Sequence, residues 1–420
     1  MQAAGVTQFA ITGYIESFTL NDPNDPLSGA QMRVNGTDVV VPKNLIVQMP
    51  TIFLTPFDIF CLNPKAPDGA KSGDLCIQAP PESGLAMNDN QPPLAPFEAT
   101  IQGNIVGDAH IAGLVYISQE FLNAGAGYIK SIDLATAEIV VGHDPGTPVQ
   151  PTDARLKLDD PKGIHGRPMA SPDLDTRFTI DPDSPSVRAT TGFPMCVPRG
   201  PGDALCPDSN RPAGMTKFVM WTQPLLPPRP GSVLILPCSG CDAARPAPFV
   251  VGDYINYSGT LAKDGKGLYI SAHTVVASLG IFTAPNSPIA YTAVDLALIG
   301  TFGPSFSGIV QEQLDRVRVR GFTTDPTRPV NVYAIDVDPS SGQESMRLLG
   351  SVGTRLARFG EFRLLIGKGA GALVDGVGNI RGATREIAVA VPGARQSKPY
   401  YAPVTEFLFP ENDMPGDPLV

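Results

Sequence analysis

Residues 9–20 read FAITGYIESFTL and residues 32–42 read MRVNGTDVVVP, and these two stretches decide the fold class of the chain. Asn35-Gly36 lies between two β-rich runs, and both residues tolerate positive φ, so the second stretch reads as a hairpin with a two-residue turn. A polar DPNDP segment at 22–26 separates it from the first strand. The chain therefore starts as a sheet.

An internal echo carries the reading further. Gly13-Tyr14-Ile15-Glu16-Ser17-Phe18-Thr19-Leu20 matches Gly127-Tyr128-Ile129-Lys130-Ser131-Ile132-Asp133-Leu134 at Gly, Tyr, Ile, Ser and the final Leu. A short apolar strand follows each copy, DVVVP in the first and EIVVG in the second. Residues 250–277 and 315–338 share the same strand-turn-strand texture, but the spacing is too irregular for a propeller or solenoid. The expectation is an all-β chain of several small barrel-like or sandwich-like units. They are expected at residues 1–95 (an N-terminal β unit with its loop), 96–245, 246–305 and 306–420.

Composition agrees. The 420 residues include 44 Pro and 43 Gly, which excludes long helices, while 42% hydrophobic and 17% charged residues suit a globular core. Helix candidates are short: Thr55 to Phe60, Ser118 to Asn123 and Gln311 to Arg316. The Pro-dense stretches 62–96, 144–174 and 195–232 are long connections of the kind that cover a barrel mouth or act as functional loops.

With 31 Lys+Arg against 41 Asp+Glu, the chain has no broad basic face for a phosphate backbone, so nucleic acid is excluded as a partner. Arg316, Arg318 and Arg320 recur with period two, which places them on one solvated face of a strand opposite Val317 and Val319. No run approaches the ~20 apolar residues of a membrane span. The start, MQAAGVTQFAITG, lacks the basic and apolar regions of a signal peptide and reads as a chain whose signal has been removed.

Six cysteines form three close pairs, Cys61 with Cys76, Cys196 with Cys206 and Cys238 with Cys241, each in or beside a Pro/Gly-rich loop. Sequential disulfides are the economical pairing, other connectivities staying open, and they point to a secreted or secretory-pathway protein. CSGC at 238–241 follows a strand-like SVLIL, as a redox motif does, but Pro246 and Pro248 leave no room for the helix that would activate its first thiol. A loop staple is the expected role. Two sequons, at Asn35 and Asn256, are permissive for glycosylation and decide nothing.

Signatures of conventional catalysis are missing. His110, His143, His165 and His273 stand at no metal-ligand spacing. The run with Asp173, Asp175, Asp181 and Asp183 suggests calcium, but a calcium loop counted from Asp173 would need Gly at Phe178 and an acid at Ser184. GKGAGALVDG at 367–376 is not a phosphate loop, and no GxSxG elbow occurs. No cofactor is expected. What remains is an aromatic and apolar set: Phe218, Met220 and Trp221, with Tyr254 or Tyr257, could line a pocket or form core. Tyr254 and Tyr257 stand an odd number of residues apart and so face opposite sides of a strand. Tyr400 and Tyr401, beside Lys398 and Arg395, suggest a polar-aromatic rim.

GYIESFTL (13–20), VNGTDVVVPKNLIVQMP (34–50) and TTGFPMCVPR (190–199) are similar to stretches of secreted fungal proteins built of small β modules. In length, cysteine use and lack of cofactor motifs the chain resembles the fungal hetero-Diels-Alderases, which join a tropolone quinone methide to a sesquiterpene. That resemblance implies a cofactor-independent cyclase, a pericyclase that orients a hydrophobic small-molecule substrate in a dry pocket, and it carries over no catalytic residue. Such a step gains from orientation and from one hydrogen-bond donor at the developing oxyanion. On the residues themselves, His273, Tyr257 and Arg395 are the donor candidates, and Trp221, Met220, Phe218, Tyr254 and Tyr401 the candidate lining. The alternative is a secreted non-catalytic β-module protein that binds glycan, cell wall or a protein partner. Neither reading fixes an oligomeric state.

Overall fold

The computed structural model describes residues 7–43, 45–63, 81–119, 123–169, 175–225, 234–300, 317–337, 343–366, 386–395, 398–404 and 406–408. They are nearly all β.

The opening stretches form the expected sheet. Strand β1 (Thr7–Leu20) pairs antiparallel with β2 (Ala30–Val34), which turns through Asn35 and Gly36 into β3 (Thr37–Val41). Both turn residues have positive φ, 47° and 77°, as a two-residue hairpin with right-handed strand twist requires. Two later strands, β4 (Glu98–Val106) and β5 (Ala109–Ser118), complete the unit: β4 pairs with β1, and β5 pairs with β4. A parallel contact between β3 and β5, with Val39 opposite His110 and Val40 opposite Ile111, closes the sheet into a barrel.

A second barrel repeats this connectivity. It comprises β6 (Gly125–Asp133), β7 (Glu138–Gly142), β8 (Ala154–Leu158), β9 (Tyr254–Asp264) and β10 (Gly267–Ala277). Antiparallel pairs join β6 to β7, β7 to β8, β6 to β9 and β9 to β10, and parallel β8–β10 pairing closes it. Both barrels thus have the neighbour order 1-2-3-5-4-1 with strands 3 and 5 parallel. That is the five-stranded Greek-key connectivity of the oligonucleotide/oligosaccharide-binding barrel.

The echo at Gly13 and Gly127 is the first strand of each barrel, and the match extends to a bulge. The register skips Glu16 between Ile15 and Ser17 in β1, and Lys130 between Ile129 and Ser131 in β6. The strands that follow the echo are not equivalent, however: DVVVP is the third strand of its barrel and EIVVG the second. Nor is 250–277 a unit of its own, since it supplies the hairpin that completes the second barrel. Strand pairing crosses both of the expected boundaries: β1 pairs with β4 across residue 95, and β6 with β9 across residue 245.

A third body is a two-sheet sandwich. One sheet holds β11 (Thr292–Gly300), β12 (Val317–Thr323), β15 (Glu361–Ile366) and β18 (Glu406–Leu408); the other holds β13 (Val330–Val337), β14 (Glu344–Val352), β16 (Glu386–Ala390) and β17 (Tyr400–Pro403). Val317 and Val319 are buried in β12 and Arg318 faces solvent, as the period-two pattern predicts. Residue 316 lies outside the described residues.

Each barrel is elaborated between its third and fourth strands. The first inserts residues 42–97, with the helix α1 (Pro56–Cys61). Thr55 caps this helix by accepting from Asp58 N–H at 3.1 Å while the Asp58 carboxylate accepts from Thr55 N–H at 3.2 Å, and Pro56 supplies a preset φ at the first turn. The second inserts residues 159–253, stapled by Cys196–Cys206 and Cys238–Cys241. No helix follows CSGC. Cys61 is also disulfide-bonded, and its expected partner Cys76 lies outside the described residues, as do the helix candidate 311–316, residues 120–122 of the candidate at 118–123 and the glycine-rich 367–376.

Candidate functional site

The turns joining strands 4 and 5 are tight in both barrels, at 107–108 and 265–266, so the loops that could form a site lie in the two insertions. Two clefts open there. The first, of about 750 Å³, lies where the two insertions meet the sandwich. Residues 49–53 of the first insertion form one wall, residues 181–186 of the second form another, and the sandwich contributes Asp295, Glu344, Glu386 and residues 398–403. Hydrogen bonds fasten the three sides: Thr51 Oγ1 donates to the Thr179 carbonyl at 2.6 Å, Tyr401 N–H donates to Ser184 Oγ at 2.8 Å, and Lys398 pairs with Asp183 at 2.5 Å.

Charge dominates this cleft. Lys398 answers Asp183, and Arg320 answers Asp295 at 3.0 Å. Asp181, Glu344 and Glu386 have no ion pair among the described residues. Burial, then the charges of Glu344 and Asp181, push the Glu386 carboxyl up to about 7. Asp181 is also raised by burial, even though its carboxylate accepts the N–H groups of Asp183 and Ser184 at 2.8 and 3.0 Å. Among the described residues, no cation pairs directly with Asp181, Glu344 or Glu386.

The second cleft, of about 530 Å³, lies between the barrels. Pro92, Pro93, Leu94 and Phe97 form an apolar wall, and β9 and β10 form the other side with residues 260–264, Tyr269 and Ser271. Asp159, 1% exposed, is also among its lining residues.

The sequence-predicted set is dispersed. Phe218 and Met220 lie in the core of the second barrel, packed with its strands. Trp221 is half-buried on the other face, against Val219, Leu225, Ile235 and Phe282. Tyr254 is on the outer surface, edge-on to Tyr128 with centroids 5.0 Å apart, while Tyr257 packs inward as the alternation requires. His273 is fully buried. Arg395 is exposed. Tyr401 alone of this group lines a cleft described here, the first one, where it meets the Lys398 expected beside it. His165 is buried, with Nδ1 2.7 Å from the Met195 carbonyl. Of the aspartate run, Asp175 pairs with Arg177 and Asp181 with Asp183 caps a turn, while Asp173 lies outside the described residues.

Glu344, Glu386 and Asp159 escaped the sequence reading. Each lies at or just past a strand end with no motif around it, and only the meeting of distant segments gives it a role.

No family model matches the chain, and no curated protein matches it. Among solved structures, the crystal structure of dimeric latent PorU from Porphyromonas gingivalis aligns over 98% of this chain and 30% of that one, at 12% identity and a TM-score of 0.21. This chain spans less than a third of that protein's length, and a likeness so slight carries no argument.

Proposed function

We propose that the chain is a non-catalytic β-module protein that captures a basic segment of a protein partner in the cleft between the insertions and the sandwich. The carrying observation is that Asp181, Glu344 and Glu386 share this cleft without a cation of their own among the described residues. A lysine or arginine side chain entering it would relieve the repulsion that raises Glu386, and Tyr401 offers a ring face at the rim. Location outside the cytosol belongs to the same proposal, and the Cys196–Cys206 and Cys238–Cys241 staples support it.

The test is titration of the full chain with a labelled oligolysine peptide, beside neutral oligosaccharides of similar length. Binding is expected to weaken steeply with salt, to weaken as pH falls below 7, and to drop at least tenfold in the Glu344→Gln/Glu386→Gln double variant. Salt-insensitive capture of an oligosaccharide instead, or an unaffected double variant, would overturn the reading.

The competing proposal, a cofactor-free hetero-Diels-Alder cyclase, needs a dry apolar pocket. Neither cleft described above is lined by Phe218, Met220, Trp221 or Tyr254. A change in rate or stereochemistry when purified protein meets a quinone methide and an alkene, against buffer alone, would favour it over partner capture.

A further inference from the structure

We infer that the cleft between the two barrels is a second binding site, built to take an organic cation with an apolar flank, and that Asp159 is the group that receives the positive charge. It stands independently of the cleft beside the sandwich.

Asp159 follows β8, where parallel pairing sets Leu158 opposite Ala272. Its N–H donates to the Ala272 carbonyl at 2.8 Å, and its own carbonyl accepts from Ile180 N–H at 2.9 Å, so the backbone is held from both sides. Oδ2 accepts from Ser271 Oγ at 2.9 Å. Oδ1 is equally buried and has no hydrogen-bond partner among the described residues. An unmatched buried acceptor is costly, because it has given up its water and gained no donor in exchange. Asp159 belongs to the lining of a cleft of ligand size, and a donor seated against this carboxyl would match the atom.

The chemistry of that donor follows from the charges around Oδ1. Burial, together with the negative charges of Asp175 and Asp160, holds the Asp159 carboxyl up to about 8. Arg177 engages Asp175 through two nitrogens, at 2.8 and 2.6 Å, and the Asp160 carboxylate accepts the N–H groups of Ile164 and His165. On β9, Asp264 is held by Arg155 and Lys157, and Lys263 is exposed. On β10, Tyr269 lies under the Lys157 amino group. No lysine or arginine is among the groups that shift Asp159, so an incoming cation would meet a carboxyl with no counter-charge among the described residues. Among the described residues no three His, Cys, Asp or Glu side chains gather as a metal set. A forked or ammonium-type organic cation is therefore the match, with its apolar flank against Pro92, Pro93, Leu94 and Phe97.

Benzamidine serves as the probe and benzamide as its neutral counterpart of the same shape, in calorimetric titrations of the full chain in buffers of different ionisation enthalpy. About nine-tenths of Asp159 is protonated at pH 7, so binding there is expected to release close to one proton, to release none at pH 9.5, and to be about tenfold tighter at the higher pH. Asp159→Asn is expected to abolish proton release and to weaken benzamidine at pH 9.5 at least tenfold, while unfolding at no lower urea concentration than the parent at pH 7, because the cost of keeping a buried carboxyl protonated at that pH is gone. Ser271→Ala removes the hydrogen bond that favours the ionised form, so the midpoint of affinity against pH moves upward. Absence of benzamidine binding, equal binding of benzamide, binding without proton release, an unaffected Asp159→Asn variant or an unmoved midpoint in Ser271→Ala would each overturn the proposal.

Discussion

His273 is the extra residue of a bulge in β10, between Ala272, which pairs with Gly259, and Thr274, which pairs with Ser258. Its carbonyl accepts from Ser186 Oγ at 2.5 Å and its Nδ1 lies 3.0 Å from Thr274 Oγ1, while Nε2 is buried with no partner among the described residues. Burial drives its pKa down to about 4 from the ordinary 6.5. Protonation then favours the unfolded chain, so this residue's contribution is fully present above pH 6.5 and is lost as pH falls to 4. Its size is about 3 kcal/mol. Replacing His273 with Gln removes the titration, and the gap between parent and variant in urea unfolding is expected to change by about that amount between pH 7 and pH 4. Parallel profiles would show that the imidazole is not held neutral. Glu386 runs the other way: its raised carboxyl contributes stability at acid pH that is lost as pH rises through about 7. Neither shift is legible in the sequence, because both come from what packs against the group.

At the scale of elements, one device recurs in all three bodies. Opposite the bulge at Gly113 in β5 stands Gly103; opposite the bulge at His273 stands Gly259; opposite the bulge at Asp295 in β11 stands Gly321. A Cβ at these glycines would lie 2.0 Å from the Ile111 carbonyl oxygen, 2.2 Å from that of Ser271 and 2.1 Å from that of Ala293. Bulges sharpen strand twist, and the strands can approach here only because the facing residue has no side chain. Gly103→Ala and Gly259→Ala are each expected to cost about 1–3 kcal/mol, by urea denaturation. Gly113→Ala is the control, since its Cβ would meet only the Gln102 carbonyl at 3.6 Å and the matching position in the second barrel already carries a histidine. Equal losses in all three variants would refute the assignment of the facing glycines. The β1–β2–β3 meander was readable because Asn35-Gly36 and alternation are local signals, and the short helix from Thr55 was among the candidates, though its capping box was not read. The parallel closures were not, because β3–β5 and β8–β10 join strands separated by whole insertions.

For the molecule as a whole, a buried guanidinium is one of the ties between the barrels. Arg177, fully buried, donates to the Ile59 and Ser83 carbonyls of the first insertion at 2.8 and 2.6 Å while pairing with Asp175 of the second. Removing one partner of such a buried pair costs about 3–5 kcal/mol, because the groups left behind lose their donors. Arg177→Met is therefore expected to lower global stability by about that amount and to loosen the 530 Å³ cleft, to whose lining Asp175 belongs; a loss under 1 kcal/mol would show that the barrels do not depend on this contact. The sequence by itself determined the β class and the opening hairpin, and it pointed to the echoing strands, a short helix at Thr55 and the economical pairings Cys196–Cys206 and Cys238–Cys241, since each depends on residues close together in the chain. Tertiary structure alone decided the barrel closures, the split of the aromatic set between core and surface, and the gathering of Asp181, Glu344 and Glu386 in one cleft and Asp159 in another. The physical reason is that unmatched charge and a buried, unpaired oxygen exist only once segments far apart in the chain exclude water from the same place.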